Sequence, residues 1–187
     1  MRSRLAIKVL YDNIFVLSKG FEQQGFTMIA MFVSAASLLA SAQGHAHVHG
    51  HAELALALDA QGGLYVEFAT PMDNVYGFER EPRTDAERAH VDQVNTTLVD
   101  ASAWLDLGRA ECTFEPGEIE TENDHGHGNL RVTLTASCED ADRMNVNLEN
   151  LFTHFAGLEE VDLVVLSPTQ QQGFELSPSS PSVRIGR

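Results

Sequence analysis

The sequence predicts an α+β domain: an antiparallel β-sheet built from hairpins, with one medium and one short helix packed on one face. Three observations predict it. Apolar residues alternate with polar ones through residues 54–58, 64–68, 110–114 and 130–138, the period of a half-buried strand. Turn-forming stretches such as Asp59-Ala60-Gln61-Gly62-Gly63 separate neighbouring runs. Helical patterning is confined to two stretches, so the order reads ββ, helix, ββ, a short strand, short helix, ββ.

Residues 1–42 stand apart from this pattern. Arg2, Arg4, Lys8 and Lys19 form a basic region, residues 29–42 are almost wholly apolar or small, and Ala40-Ser41-Ala42 suits a cleavage site. That is the form of a secretory signal peptide. A membrane span needs about 20 apolar residues, and this run is shorter. The expectation is an exported domain over residues 43–187, free of the membrane after cleavage. Residues 1–42 hold four of the 12 basic and two of the 27 acidic residues, so removing them moves the net charge from −15 to −17. Phosphate binding needs clustered Lys and Arg, so nucleic acid is excluded as a partner, and an anionic membrane surface with it. A field this negative favours cations.

Within the domain, His45, His47, His49 and His51 occupy every second position, and Leu54, Leu56 and Leu58 follow. This predicts one long strand with imidazoles and Glu53 opposite the leucine face. Leu64, Val66 and Phe68 form the core face of a second strand, whose hairpin would carry Glu67 and Asp73 toward the histidines. Pro71 ends that strand, and residues 70–82 form a connection with aromatic anchors. Thr84 and Glu87 make a capping box for a helix over Asp85–Val99, with Val91, Val94 and Leu98 as its apolar stripe. Trp104, Leu105 and Leu107 form an apolar patch. Cys112 and Cys138 fall on the core-facing sets of two alternating runs. Pairing of those runs with Cys112 opposite Cys138 would permit the single disulfide that an exported chain with two cysteines most simply forms. It would also place residues 121–129 at a hairpin tip. Met144, Val146 and Leu148 predict a short strand, Glu149–Phe155 a short helix, and residues 161–166 and 174–176 the last strands. Residues 177–187, rich in Ser and Pro, read as a loose tail. His90 reads as a surface residue and His154 as a structural one.

For chemistry, no Gly-x-Ser-x-Gly elbow, His-Glu-x-x-His, phosphate loop or dinucleotide fingerprint is present. The histidines point to metal instead. Alternating strand residues lie about 6.6–7 Å apart, so neighbouring imidazoles can share an ion. A carboxylate from the second strand or from Glu79 would complete a tetrahedral set. A second collection, within the His/acid-rich hairpin loop at about 118–128, combines carboxylates with His125 and His127 and reads as a flexible metal-collecting loop. Cleavage after Ala42 would also expose Gln43-Gly44-His45, a form that suits Cu(II) or Ni(II) in a square plane.

These residues resemble a known family. Ala46-His47-Val48-His49-Gly50, Pro71-Met72-Asp73-Asn74-Val75-Tyr76-Gly77-Phe78-Glu79, the cysteines around a His/acid loop, and Leu151-Phe152-Thr153-His154-Phe155 look like the ZrgA-type zinc-regulated periplasmic proteins of Gram-negative bacteria. The resemblance spans the whole domain. It implies a periplasmic zinc-binding accessory to high-affinity zinc import, working with the solute-binding protein of a zinc ABC importer, with His47 and His49 as the best ligands. Two departures imply fewer bound ions and one altered site. Arg80 follows Gly-Phe-Glu where the family often has His, and the His/acid insertion is short.

Two rivals stand beside this reading. His47-Val48-His49 also resembles the copper ligands of copper–zinc superoxide dismutases, but no second His-rich zinc loop with an Asp ligand accompanies it. A structural module with incidental histidines is the other. The leading expectation is a zinc-binding protein that is not an enzyme.

Overall fold

A computed structural model describes residues 48–124 and 127–185. The chain divides at Ala42 into two units, and every described residue belongs to the second. Among the described residues no helix is long and apolar enough to cross a membrane.

The main sheet has seven strands. Strand β1 (His51–Leu58) sits centrally and pairs antiparallel with β2 (Gly63–Pro71). The Asp59 side chain accepts from the Gln61 and Gly63 amides and closes the turn between them. On the far side of β2 runs β6 (His127–Cys138). The edge of β6 is shared by β4 (Cys112–Phe114) and β5 (Glu118–Asp124). Between β4 and β5, residues 115–117 face only residues 134–135, so the register slips by one. Gly117 takes that slip, since a Cβ there would meet Leu134 Cδ2 at 2.9 Å.

On its other side β1 pairs with β8 (Glu160–Leu166), and β9 (Gln171–Leu176) completes the sheet. The β1–β8 pairing is parallel, which corrects the expected purely antiparallel sheet. Leu54 and Leu56 then align with Leu163 and Val165 on the buried face, so burial is satisfied by strands from opposite ends of the domain.

A small second sheet joins β3 (Asp106–Gly108), β7 (Met144–Asn147) and β10 (Ser182–Arg184). Within the stretch from Ser177, expected to be a loose tail, Ser182–Arg184 therefore form a strand paired with β7, followed by buried Ile185. Its apolar Val183 and Ile185 alternate and find cover against β7, a pairing that its Ser and Pro content hides. The Ile185 amide donates to the Met144 carbonyl at 3.1 Å.

Among the described residues three α-helices accompany the sheets: α1 (Asp73–Tyr76), α2 (Asp85–Val99) and α3 (Glu149–His154). The first lies within the connection over residues 70–82 and adds a helix to the one medium and one short helix expected. Helix α2 has the expected bounds and the reciprocal capping box of Thr84 and Glu87. It buries Val94 and Leu98 in the apolar cluster that includes the inner sheet face. Trp104 packs on Phe68 with ring centroids 5.4 Å apart, and its indole N–H donates to the Leu98 carbonyl at 3.1 Å. Leu107, Met144 and Val146 of the small sheet enter the same cluster.

Cys112 and Cys138 are bonded, in the expected opposite register. The bridge joins residues 26 apart. Converting both to Ser is expected to lower the unfolding free energy by about 3–4 kcal/mol in the chain-entropy model, read by urea titration of oxidised wild type against the variant.

Candidate metal centre

The donors gather at one end of the main sheet, where β1 and β6 begin and β2 ends. Over the described residues the predicted histidine strand is interrupted by a turn at His49 and Gly50. His45 and His47 lie outside the described residues, as does His125. β1 begins only at His51, and His49 sits in a turn before it. The turn is made at Gly50, whose φ of +85° lies in the left-handed region that favours glycine. It separates the two imidazoles: His49 faces α1, and His51 faces β8.

Asn74 of α1 holds this turn. Its buried side chain accepts from the Gly50 amide at 2.7 Å and donates to the His51 carbonyl at 2.9 Å and to Thr70 Oγ1 at 2.9 Å. Thr70 also donates to the His51 carbonyl, at 3.1 Å. On the opposite side, the Gly50 carbonyl accepts from the amides of Glu159 and Glu160. The histidine turn is thus clamped between α1 and the start of β8.

Three carboxylate contacts define the centre. His49 Nδ1 lies 2.9 Å from Asp73 Oδ2. Its Nε2 lies 4.0 Å from Glu79 Oε1. His127 Nδ1, at the start of β6, lies 3.1 Å from Glu79 Oε2. The carboxylate of Glu79 is the least exposed member, 15% against 60% for His49 and 51% for His127. Its Oε1 is buried and accepts no hydrogen bond among the described residues. Such an acceptor costs free energy unless something donates to it or a cation coordinates it. The Asp73–His49 contact has the form that orients metal-ligating histidines, a carboxylate on one ring nitrogen leaving the other for the ion.

Backbone packing brings the loop and hairpin together. The Met72 amide donates to the Gly128 carbonyl at 2.8 Å, and a Cβ on Gly128 would meet Met72 Sδ at 2.4 Å and the Glu79 carbonyl at 3.2 Å. Gly128 thereby lets the 72–79 segment lie against the start of β6, with His127 beside Glu79. The β5–β6 hairpin is paired as far as Asp124 and His127, so most of the supposed flexible loop is strand. Just before Gly77, which caps α1 with a φ of +78°, Tyr76 donates to Asn95 Oδ1 at 2.6 Å and anchors the segment to α2. Burial pushes the Tyr76 phenol up to about 12.

Among the described residues Glu67 does not join the histidines, correcting that expectation. It faces Arg131 in an ion pair and accepts from Tyr65 at 3.1 Å. Arg80 turns away from the centre, over the Phe78 ring at 4.8 Å and onto Glu87 through two hydrogen bonds of 3.0 and 2.8 Å. Those bonds, then the Arg83 amide, hold the Glu87 carboxyl down from 4.5 to about 2. A carboxyl with a lowered folded pKa stabilises above its ordinary pKa and loses that contribution as pH falls through the folded value. Glu87→Gln is therefore expected to lower Tm at neutral pH, with the gap from wild type closing between pH 4.5 and about 2 in thermal scans.

His51 Nδ1 lies 3.3 Å from Glu160 Oε1, and Asp162 stands beside them. Sequence reasoning missed both carboxylates and also Asn74. The two acids reach His51 only through a parallel pairing that no local pattern announces.

Fold and donor set together describe a small β-rich domain whose sheet end gathers nitrogen and oxygen donors suited to a zinc-class divalent cation. The profile described as "ZrgA family zinc uptake protein" matches residues 46–185, a span containing every residue of the centre. The chain belongs to the ZrgA family of zinc uptake proteins. No curated protein matches it.

Proposed function

We propose that this protein is a periplasmic zinc-binding accessory of high-affinity zinc import. It captures zinc at the Glu79 centre and yields it to the solute-binding protein of a zinc ABC importer. It binds its cargo and catalyses no reaction. His49 and Glu79 supply ligands, His127 joins them from the hairpin, and Asp73 orients His49. His45, His47 and His125, near these elements in sequence, add donors that raise capture. Copper or nickel would bind the same imidazoles, but paired carboxylates and a zinc uptake family favour zinc.

The observation that carries this reading is Glu79 Oε1, buried, without a hydrogen bond among the described residues, and 4.0 Å from an imidazole nitrogen. Two ligands on a tetrahedral zinc stand about 3.3–3.6 Å apart for bonds of about 2.0–2.2 Å. A shift of under an ångström closes that pair on an ion.

Titration calorimetry of the full chain with Zn(II) tests the proposal. The expected Kd is about 1 μM or tighter, roughly −8 kcal/mol. His49→Ala combined with His127→Ala is expected to weaken it at least about tenfold, or 1.4 kcal/mol. Millimolar affinity, or affinity indifferent to both histidines, rejects the reading.

A further inference from the structure

We propose that His51, Glu160 and Asp162 form a second divalent-cation site, separate from the Glu79 centre and more readily exchanged. The site lies on the outer face of the main sheet, across the parallel pair β1–β8. His51 stands opposite Glu160, and Glu53 opposite Asp162, in consecutive outward positions of the register. One ligand atom from each of His51, Glu160 and Asp162 lies within 4.8 Å of the others. His51 Nδ1 and Glu160 Oε1, at 3.3 Å, already match the spacing of two ligands on one tetrahedral ion, about 3.3–3.6 Å.

The charge arrangement supports an ion independently of that spacing. Two carboxylates directly opposite each other on paired strands repel, and such pairs destabilise a sheet. Glu53 and Asp162 are so placed, with Glu160 on the same face two positions before Asp162. No Lys or Arg is paired with any of the three among the ion pairs of the described residues; the recorded partner of Glu160 is His51. A divalent cation removes the repulsion, and the imidazole tilts its choice toward zinc-class ions over calcium or magnesium.

The two sites differ in character. The Glu79 centre rests on a carboxylate 15% exposed, whereas His51 and Glu160 are 40% and 38% exposed. The outer site is preformed on rigid strands but open to water, so it fills after the first and releases before it. His49 and His51 flank Gly50, which places the sites on either side of one clamped turn. The identity of zinc rests on the function proposed above; the site itself rests on the β1–β8 register.

Equilibrium dialysis of the full chain against Zn(II) provides the test, with Glu160→Gln plus Asp162→Asn as the main variant. The expected result is loss of one weaker equivalent with the tightest equivalent kept. The zinc-free Tm should hold or rise as like charges are removed, and the part of the Tm rise seen only at high zinc should vanish. Asp162→Asn alone, with Co(II) absorption as readout, serves if the double variant does not fold: the second increment of the visible band should disappear. Unchanged stoichiometry and unchanged Co(II) increments in these variants overturn the proposal. The same dialysis on Glu79→Gln separates the two readings. If the tight equivalent survives there while the Asp162-dependent one is still lost in its own variant, the Glu79 centre fails and the outer site stands.

Discussion

Glu79→Gln is expected to lower zinc affinity by more than about 100-fold while leaving the zinc-free protein as stable as wild type or slightly more so. Losing an outer partner of a metal ligand costs about 10–100-fold, and Glu79 is argued to be a ligand itself. The amide keeps the volume of the carboxylate and removes a buried anionic oxygen that accepts no hydrogen bond among the described residues. The two measurements therefore move in opposite directions, which a purely structural role for Glu79 does not produce. Calorimetry and a thermal melt on the same sample decide it. A variant that melts earlier and still binds zinc normally would show Glu79 to be a packing residue. Asp73→Asn should fall between, losing about 10–100-fold, because it acts through His49 Nδ1.

Asn74→Ala is expected to cost about 3 kcal/mol of unfolding free energy and to loosen both metal sites at once. Removing the amide strips the Gly50 N–H of its acceptor and takes a donor from the His51 carbonyl. A buried polar group left without its partner costs about 1–3 kcal/mol. The backbone at Asn74 is held independently of the side chain, since Gly157 is packed so closely that a Cβ there would meet the Asn74 backbone carbonyl at 2.7 Å. Urea unfolding measures the loss, and hydrogen exchange at Gly50 locates it. A change under about 1 kcal/mol, within the range of an ordinary surface substitution, would show that the turn does not depend on Asn74. If zinc affinity stays at the wild-type value in a variant destabilised as expected, the clamp serves the fold and not the donors.

Much of this was legible from local pattern. The α2 bounds follow from Thr84, Glu87 and an apolar stripe, all within one short segment whose hydrogen bonds close on themselves. The β2 and β6 core faces follow from alternation, because burial on one side imposes a period of two. Alternation misled at the histidines. His49 and Gly50 sit in a turn, and β1 begins only at His51. A positive-φ glycine and an asparagine 24 residues away make the turn instead. The tail was misjudged for a related reason: Ser and Pro suggest looseness, but Val183 and Ile185 need only one available edge to become ordered.

The sequence by itself determined the kinds of donor available, the β1–β2 hairpin, the pairing of the two cysteine strands β4 and β6, the capped helix and the cysteine pair. It also marked Glu79 as a candidate beside the histidines. Only the tertiary structure decided which donors meet. Strand period and helix capping are set by interactions a few residues apart, so they can be read along the chain. The pairing of Glu79 with His127, and of His51 with Glu160 and Asp162, depends on distant segments that come together to bury Leu54, Phe68, Val132 and Leu163 on one sheet face. Core burial selects that register, and the outward donors take the neighbours it assigns them.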